Sequence, residues 1–197
     1  MGNQQLTVKN NSGGTISVCV FKRFDDMYGL QNVRLISLAS SFLPMGSVSQ
    51  FNFQKEYKAI VGKAGNRFEP SASSGNLTAG QTVTLDNYNN QVSFGQIESG
   101  GGNGLGIKTS AGFSRDSRDV AFGIAVGDDA AIVASSPQPS SNYSFRPQPA
   151  FYIAIGNAGK GEFVNDDMQR NAIAVDFSSD RMTATCNVDG TWSVTQG

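Results

Sequence analysis

Residues 182–196 read MTATCNVDGTWSVTQ and contain the clearest local fold signal in the chain. Two short segments rich in strand-favouring residues flank the dipeptide Asp189-Gly190. Asp-Gly favours the positive φ angles of a primed turn, whose twist matches that of two paired strands. The stretch therefore predicts an antiparallel β-hairpin closed by a two-residue primed turn.

Apolar residues recur at every second position in many segments along the rest of the chain. In TISVCVF, the residues Ile16, Val18 and Val20 occupy alternate positions, as in a strand with one buried face. Five further short segments give the same signal: QTVTLDN (81–87), NQVSFGQI (90–97), VAFGIAV (120–126), AFYIAIG (150–156) and AIAVDF (172–177). Gly, Asn, Asp or Pro bounds most of them, so the chain alternates short strands with turns.

One segment favours a helix instead. Over residues 33–43 one helical face would carry the side chains of Ile36, Ala39, Phe42 and Leu43, and Pro44 would end the helix. Residues 135–149, SSPQPSSNYSFRPQP, are the strongest loop signal and predict a single ordered loop within the domain.

Many short strands without alternating helices indicate a sandwich or a closed barrel. We predict an all-β fold, a single-domain antiparallel β-sandwich over residues 1–197 with at most one short helix.

Composition narrows the classes of function. Of the 197 residues only 16% are charged, and the net charge of −1 argues against nucleic acid as a partner. The chain contains no histidine, which argues against a Ser-His-Asp or Cys-His enzyme and against most zinc or copper sites. Chemistry based on carboxylates, Lys or Tyr remains open. We expect a non-enzyme without a cofactor.

The N-terminal sequence has no signal-peptide pattern, and no apolar run is long enough to span a membrane. We expect a soluble, cytoplasmic protein without a transmembrane segment, and leave export without a signal peptide open. Cys19 and Cys186 are too few for a disulfide scaffold and too far apart in sequence for a metal knuckle. They are expected to be buried free thiols, with a bridge between them as the alternative.

Residues 98–110, ESGGGNGLGIKTS, have the composition of a phosphate-binding loop but not its spacing. Such a loop needs Gly directly before its Lys, whereas Ile107 precedes Lys108. The sixth position of a dinucleotide fingerprint would be Leu105 or Ile107 rather than Gly. A predicted strand precedes the stretch and another follows it, so there is no helix N-terminus to hold a phosphate. We expect a mobile connection between two strands.

Four blocks occur in the order known from one protein family: VKNNSGGTISVCVF (8–21), ISLASSFLPMGSVSQFNFQKEY (36–57), QVSFGQI (91–97) and VAFGIAVGDDAAIVASSPQPSSNYSFRPQPAFYIAIGNAGKGEFVND (120–166). They resemble the RhiA-like family of rhizosphere-expressed bacterial proteins. The family's V-x-N-N-S opening, V-C-V strand, P-x-P-x-Y-W-I-x-F-G segment and closing G-E-V have counterparts in the same order, with loose agreement of the individual letters. The counterparts of its most distinctive part are Pro147, Pro149, Phe151, Tyr152, Ile153, Gly156, Gly161 and Glu162.

This resemblance covers about residues 8–166 and implies a fold and a bacterial setting more than a function. The family has no established enzymatic activity. Where the family carries tryptophans, this chain has Phe53, Val61 and Tyr152, and its one tryptophan is Trp192. A tryptophan platform for a ligand would therefore be altered here.

Three Asp-Asp pairs are candidate Ca²⁺ ligands if they meet at one end of the fold: Asp25-Asp26, Asp128-Asp129 and Asp166-Asp167. No D-x-D-x-D ligand ladder is present, and Asp is common in solvated turns. We therefore name Asp128 and Asp129 as binding candidates, and Asp166 and Asp167 as weak Ca²⁺ candidates. Glu162 with Asp166 and Asp167 is the best carboxylate cluster for a glycosidase, but neighbours on one turn rarely face each other across a substrate.

The segment SSNYSFRPQPAFY (140–152) offers Tyr143, Phe145, Arg146 and Tyr152. Aromatic residues interleaved with an arginine on a proline-stiffened loop suit recognition of a sugar, a lipid headgroup or a protein. The alternative is that the phenylalanines pack in the core while Tyr and Arg lie at its rim.

The leading function is a non-catalytic binding or self-associating protein, because few charges protect its strand edges. The alternative is a cell-surface recognition module (lectin-like, lipid-binding or toxin-like). The third hypothesis is a hydrolase or other enzyme that uses carboxylate, Lys or Tyr chemistry. The expected partners are a second copy of the chain, or a cell-surface glycan or lipid.

Overall fold

The structure is a computed structural model that describes residues 3–25, 27, 29–88, 91–100, 102–113 and 120–197. Nearly all of its regular structure is β-strand, as predicted. In chain order the elements are β1 (Asn3–Asn10), β2 (Ile16–Asp25), β3 (Gln31–Leu35), β4 (Ala39–Leu43), β5 (Val48–Gln54), β6 (Tyr57–Ala64), β7 (Phe68–Leu77), β8 (Gln81–Tyr88), β9 (Gln91–Ser99), β10 (Leu105–Thr109), β11 (Val120–Val126), β12 (Asp129–Ser135), β13 (Asn142–Ile155), α1 (Asp166–Arg170), β14 (Ile173–Val175), β15 (Arg181–Cys186) and β16 (Trp192–Gln196).

The strands form three curled sheets rather than the two flat layers of a simple sandwich. The first has the order β16-β15-β1-β5, the second β4-β2-β13-β10-β8-β9 with β14 beside β13, and the third β3-β12-β11-β6-β7. Most pairs are antiparallel, but β1 with β15 and β8 with β10 are parallel. The prediction of a purely antiparallel fold is therefore wrong for these two pairs. A hairpin can join only antiparallel neighbours, and neither of these pairs is connected by a hairpin.

The helix predicted over residues 33–43 is wrong. This segment forms β3 and β4, and the chain passes from one sheet to another between them. The backbone N–H of Ile36 donates to Ala131 at 2.9 Å, and that of Leu38 donates to Val20 at 2.8 Å. Phe42, placed on the buried helical face by the prediction, is 71% exposed. The short helix of this fold is instead α1, which begins with the pair Asp166-Asp167.

The C-terminal hairpin is present as β15 and β16, but its turn differs from the prediction. Asn187 N–H donates to Thr191 O at 2.8 Å, so the loop has three residues rather than two. Gly190 has a φ of +78°, while Asp189 has no positive φ. The Asp189 carboxylate accepts from the Thr191 N–H at 3.0 Å, which holds the turn in the type I conformation followed by a glycine bulge.

The main hydrophobic core draws side chains from all three sheets. Phe21, Phe113, Phe122, Phe145 and Phe151 are among its largest fully buried members. Such a shared core is compatible with the predicted single domain over residues 1–197, which stays a prediction.

Both cysteines are buried free thiols, as expected, in β2 and β15. Burial raises the pKa of Cys19 to about 11, which disfavours its thiolate. In the described part of the chain, no helix is both long and apolar enough to cross a membrane.

The segment predicted as a loop over residues 135–149 is only partly one. Asn142 begins the long strand β13, which continues through the two prolines Pro147 and Pro149. Its pairing with β2 shifts register between Pro147 and Phe151, so the prolines lie at a bulge where the ladder is already interrupted.

Candidate functional site

A groove that includes several polar side chains crosses one face of the second sheet over β13, β10 and β8, with a volume of about 460 Å³. Gly106 lies opposite Ser144 on β13 and opposite Thr82 on β8, so these three residues share one face. We name this feature the glycine groove and define it by Thr82, Glu98, Gly106, Lys108, Asn142 and Ser144.

Glycine is required on the floor of the glycine groove. A Cβ at Gly106 would lie 2.1 Å from the Thr82 Oγ1, and one at Gly104 would lie 2.3 Å from the Ser144 Oγ. The central strand β10 therefore presents bare backbone to this face, while Leu105 on its other face is buried in the core. The Thr82 and Ser144 side chains therefore lean over the bare backbone of β10 and occupy the space that side chains on this strand would need.

The rim of the glycine groove carries two opposite charges. Lys108 Nζ lies 2.6 Å from a Glu98 carboxylate oxygen, and both side chains are partly exposed. Among the described residues, the side chains of Thr82, Ser144 and Asn142 have no hydrogen-bonding partner. The groove therefore offers free donors and acceptors without a net charge.

The glycine-rich stretch of the sequence does join two strands, β9 and β10, as predicted. Gly100 N–H donates to Gly80 O at 3.0 Å, and Gly80 N–H donates to Gly104 O at 2.8 Å. Gly80, Gly100 and Gly102 all have positive φ. These glycines let the chain cross closely over the start of β8, which places β10 parallel to β8 and so builds the groove.

Tyr143 and Phe145, two of the predicted binding residues, point into the core. Phe145 is fully buried, and Phe24 and Phe122 lie edge-on to it at centroid distances of 6.5 and 6.1 Å. Tyr143 is 6% exposed, and its hydroxyl accepts from the Gln138 N–H at 2.7 Å. Both therefore support the sheet beneath the groove.

Arg146 and Tyr152 lie on the opposite face of β13 from those two residues. Arg146 is exposed. Tyr152 is half-buried outside the groove, with the Arg23 guanidinium 4.1 Å from its ring centroid. Its hydroxyl donates to Gln148, whose amide donates to Asp25 at 2.7 Å. The four predicted residues are thus not brought together into one site.

Asp128 and Asp129 lie at the β11–β12 turn, away from the glycine groove. Asp128 pairs with Lys58 at 2.6 Å, and the hydrogen bond from Lys58 lowers the pKa of that carboxyl. Asp129 pairs with Lys160 at 2.9 Å. Each carboxylate therefore already has a cationic partner.

Asp166 and Asp167 form the first turn of α1, which Asn165 caps by accepting from the Met168 N–H at 2.8 Å. Asp167 pairs with Arg170 one turn later. In the described ranges, no group of three His, Cys, Asp or Glu side chains could hold a metal ion. The predicted Ca²⁺ site thus gains no third acidic ligand there.

The model of the RhiA family matches residues 2–197. The chain belongs to the RhiA family. The match extends beyond the blocks at residues 8–166 to both terminal strands, β1 and β16. No curated protein and no solved structure matches the chain.

Of the three positions at which the resemblance implies tryptophan in the family, two are core positions in this RhiA-family protein. Phe53 and Val61 are 6% and 1% exposed, and Phe53 stacks on Phe151 at 4.5 Å. Only Tyr152 reaches the surface. These three positions therefore form no exposed platform in this chain.

Sequence reasoning missed the polar residues of the glycine groove. The pattern was present in LGIKT, where Gly106 and Lys108 alternate with the buried Leu105 and Ile107. A strand that alternates buried apolar residues with glycine and a polar residue indicates that its other face is closely approached by its neighbours or by a ligand.

Lys22 was also missed. It is 3% exposed, its Nζ lies 3.0 Å from Pro149 O and 3.4 Å from Ala150 O, and the Phe151 ring centroid is 4.3 Å away. The ammonium thus satisfies two carbonyls that the β13 bulge releases from the ladder. Burial lowers the pKa of Lys22 from 10.5 to about 8, and the charge of Asp176 opposes this fall. The period of two could have revealed it, because Lys22 shares the buried parity of Val20.

Proposed function

We propose that this RhiA-family protein is a non-catalytic binding protein whose glycine groove takes a neutral, hydroxyl-rich ligand such as a short saccharide. The observation that carries the proposal is the groove itself, which is lined by the Thr82 and Ser144 hydroxyls on either side of the bare backbone at Gly106. The volume of about 460 Å³ lies in the range of small-molecule sites.

The chemistry of the lining supports this class of ligand. Hydroxyl and amide groups both donate and accept, as the hydroxyls of a saccharide do. Lys108 and Glu98 add one strong donor and one strong acceptor, and their charges cancel, which disfavours an ionic ligand. Tyr143 lines the groove but is buried, so no ring face is offered for stacking. We therefore expect weak binding, with a Kd of about 1 mM.

The non-catalytic part of the proposal rests on the sequence and on the state of two lysines. The chain has no histidine to serve as a general base. The lysine with a strongly lowered pKa, Lys22, is buried against carbonyls outside the groove, and Lys108 is held by Glu98.

The test is a two-dimensional NMR titration with the saccharides that score on a glycan array. Thr82→Val and Ser144→Ala each remove one groove hydroxyl and should weaken binding at least five-fold. Thr7→Val makes the same chemical change on β1, in another sheet, and should bind like wild type. A blank array, or equal losses in all three variants, would overturn the proposal. Recovery of hydrolysed saccharide would refute its non-catalytic part.

A second candidate function, contact with a lipid surface, is favoured by one end of the molecule. Phe42 and Ile155 lie opposite Ser17 and Val18 near the start of β2. Five of the seven large apolar side chains exposed in the described part of the chain lie at this end. We name it the apolar end and define it by Phe42, Met45, Val48, Ile155 and Val188.

Three turns meet at the apolar end. Gly46 N–H donates to Asn10 O at 2.7 Å, and Asn11 N–H donates to Cys186 O at 2.8 Å. These bonds tie the β4–β5 and β15–β16 turns to the β1–β2 turn. Apolar side chains carried on adjoining turns are suited to shallow insertion between lipid headgroups.

Sedimentation with phosphatidylcholine vesicles tests this second candidate. The double substitution Phe42→Ser and Met45→Ser should abolish co-sedimentation. Val194→Ser removes an exposed apolar side chain elsewhere and should have no effect. Wild-type protein that stays in the supernatant at 5 mM lipid would exclude lipid contact through this end.

A further inference from the structure

The edge strands of this fold differ in how they are protected against pairing with other chains. β3 carries Arg34 and β9 carries Glu98, and both have shifts in their register. β7 carries Glu69 and Pro70 and is also irregular. Charges, proline and bulges are the usual devices that prevent edge-to-edge association.

β4 and β5 lack charges but are joined to each other. The turn over residues 44–47 connects them, and Ser49 Oγ donates to Ser41 Oγ at 3.0 Å. The two strands therefore adjoin at Ser41 and Ser49, although they belong to different sheets.

β16, with the sequence WSVTQ, has none of these protections. It is the outer strand of the first sheet, contains no charged residue and no proline, and pairs with β15 in an unbroken register. Four of its five residues are exposed. The edge is therefore open to another strand and carries no charge that would repel it.

The backbone groups that face this open edge follow from the hairpin register. Asn187 N–H donates to Thr191 O at 2.8 Å, and Gly197 N–H donates to Arg181 O at 3.0 Å. In an antiparallel pair, hydrogen-bonded residues alternate, so residues 193 and 195 also bond to β15. The N–H and C=O groups of residues 192, 194 and 196 consequently point outward.

We propose that two copies of this chain pair antiparallel through β16, with Val194 at the two-fold axis. Val194 then lies opposite Val194 of the second copy, and Trp192 lies opposite Gln196. Each facing pair exchanges two backbone bonds, which gives about six across the interface. The arrangement is self-complementary, as a two-fold interface requires, and joins the two four-stranded sheets into one continuous sheet.

The pairing should be weak. A single short strand buries much less than the ~1,200 Å² of a standard stable interface. Val194 is 37% exposed and Trp192 is half-buried, so each adds limited apolar contact. We expect dimers to form at protein concentrations of roughly 0.1–1 mM.

Sedimentation velocity from 10 µM to 2 mM tests the proposal. Wild type should shift from monomer to dimer across this range. Val194→Lys places a charge on the edge, and Val194→Pro removes an outward N–H without touching a bond to β15. Both should stay monomeric at 2 mM. Val188→Lys adds the same charge in the turn, where the side chain is 80% exposed, and should dimerise like wild type.

A cross-linking measurement decides the outcome if either edge variant unfolds. Facing residues of a hydrogen-bonded antiparallel pair have Cα atoms ~5.5 Å apart, a distance that a disulfide spans. Val194→Cys should therefore give a covalent dimer with diamide far faster than Val188→Cys does. Equal cross-linking rates, or wild type that remains monomeric at 2 mM, would overturn the proposal. Pairing through β16 and ligand binding in the glycine groove lie on different sheets, so either can fail alone.

Discussion

Lys22 predicts an unusual dependence of stability on alkaline pH. Its ammonium is 3% exposed, and burial lowers its pKa from 10.5 to about 8. Between these two pH values the unfolded chain holds this proton and the folded chain does not. The free energy of unfolding must therefore rise with pH in this window, and the gain is lost again as the pH falls through 8.

The size of the effect follows from the pKa. A fall from 10.5 to about 8 corresponds to about 3 kcal/mol of stability gained by pH 10.5. Three other groups act in the opposite direction. Burial raises the pKa of Cys19 to about 11 and that of Tyr57 to about 12, and it also raises the pKa of Cys186, so all three lower stability as the unfolded chain ionises first. The wild-type profile alone therefore mixes four contributions.

Comparison with Lys22→Met isolates the contribution of the lysine, because Cys19, Tyr57 and Cys186 are common to both proteins. Methionine fills a similar volume but leaves the Pro149 and Ala150 carbonyls without their donor, so the variant's stability at pH 7 has no simple expected sign. The change with pH in the stability difference between wild type and Lys22→Met does have an expected sign. Relative to the variant, wild type should gain up to about 3 kcal/mol between pH 7 and 10.5.

Urea unfolding at 25 °C in steps of half a pH unit measures this gain. A slope of a few kcal/mol per M of urea converts it to a relative midpoint shift of roughly 1 M. Lys63→Met removes an exposed strand lysine and serves as the control, whose profile should run parallel to wild type. A constant difference between wild type and Lys22→Met across the range would refute the reasoning.

Three further changes test the packing that supports the groove and the hairpin. Gly106→Ala should lower thermal stability by about 1–3 kcal/mol, because its Cβ meets Thr82 Oγ1 at 2.1 Å; an unchanged Tm would show that the groove floor is open space. Phe145→Ala should cost about 3–5 kcal/mol in urea unfolding, whereas Phe42→Ala, at a site 71% exposed, should cost less than ~1 kcal/mol; equal costs would contradict the assigned burial. Gly190→Ala should cost about 1 kcal/mol, since its φ is +78°, and a neutral result would mean that the turn has another conformation.

Local periodicity predicted most strands because it reports which residues face the core. QTVTLDN, VAFGIAV and all of TISVCVF after its first residue lie within strands, and Val18, Val83 and Ile124 are buried. Periodicity does not report pairing between strands distant in sequence. The helix predicted over residues 33–43 failed for this reason, since Ile36 and Leu38 bond to two different strands more than ten residues away.

The candidate site was predicted less well than the fold. The two PQP units led to the prediction of a loop. A loop has no regular alternation of side chains, so this prediction could not say which of residues 142–149 face the core. A strand reading would have placed Tyr143 and Phe145 together on the buried face, with Ser144 and Arg146 opposite them. The groove itself also needs the parallel pairing of β8 with β10, which depends on the crossover past Gly80 and has no local sequence signal.

β13 contributes both to the groove and to the surroundings of Lys22, but with different parts of the strand. Its first residues pair with β10, where Phe145 lies opposite Leu105, and its bulge follows at Pro147. Lys22 contacts the strand only beyond that bulge, at the carbonyls of residues 149 and 150. The bulge interrupts the regular ladder between these two parts of the strand. The groove wall at Ser144 is held by β10 and not by Lys22, so a folded Lys22→Met variant should retain the groove's affinity while its pH profile changes.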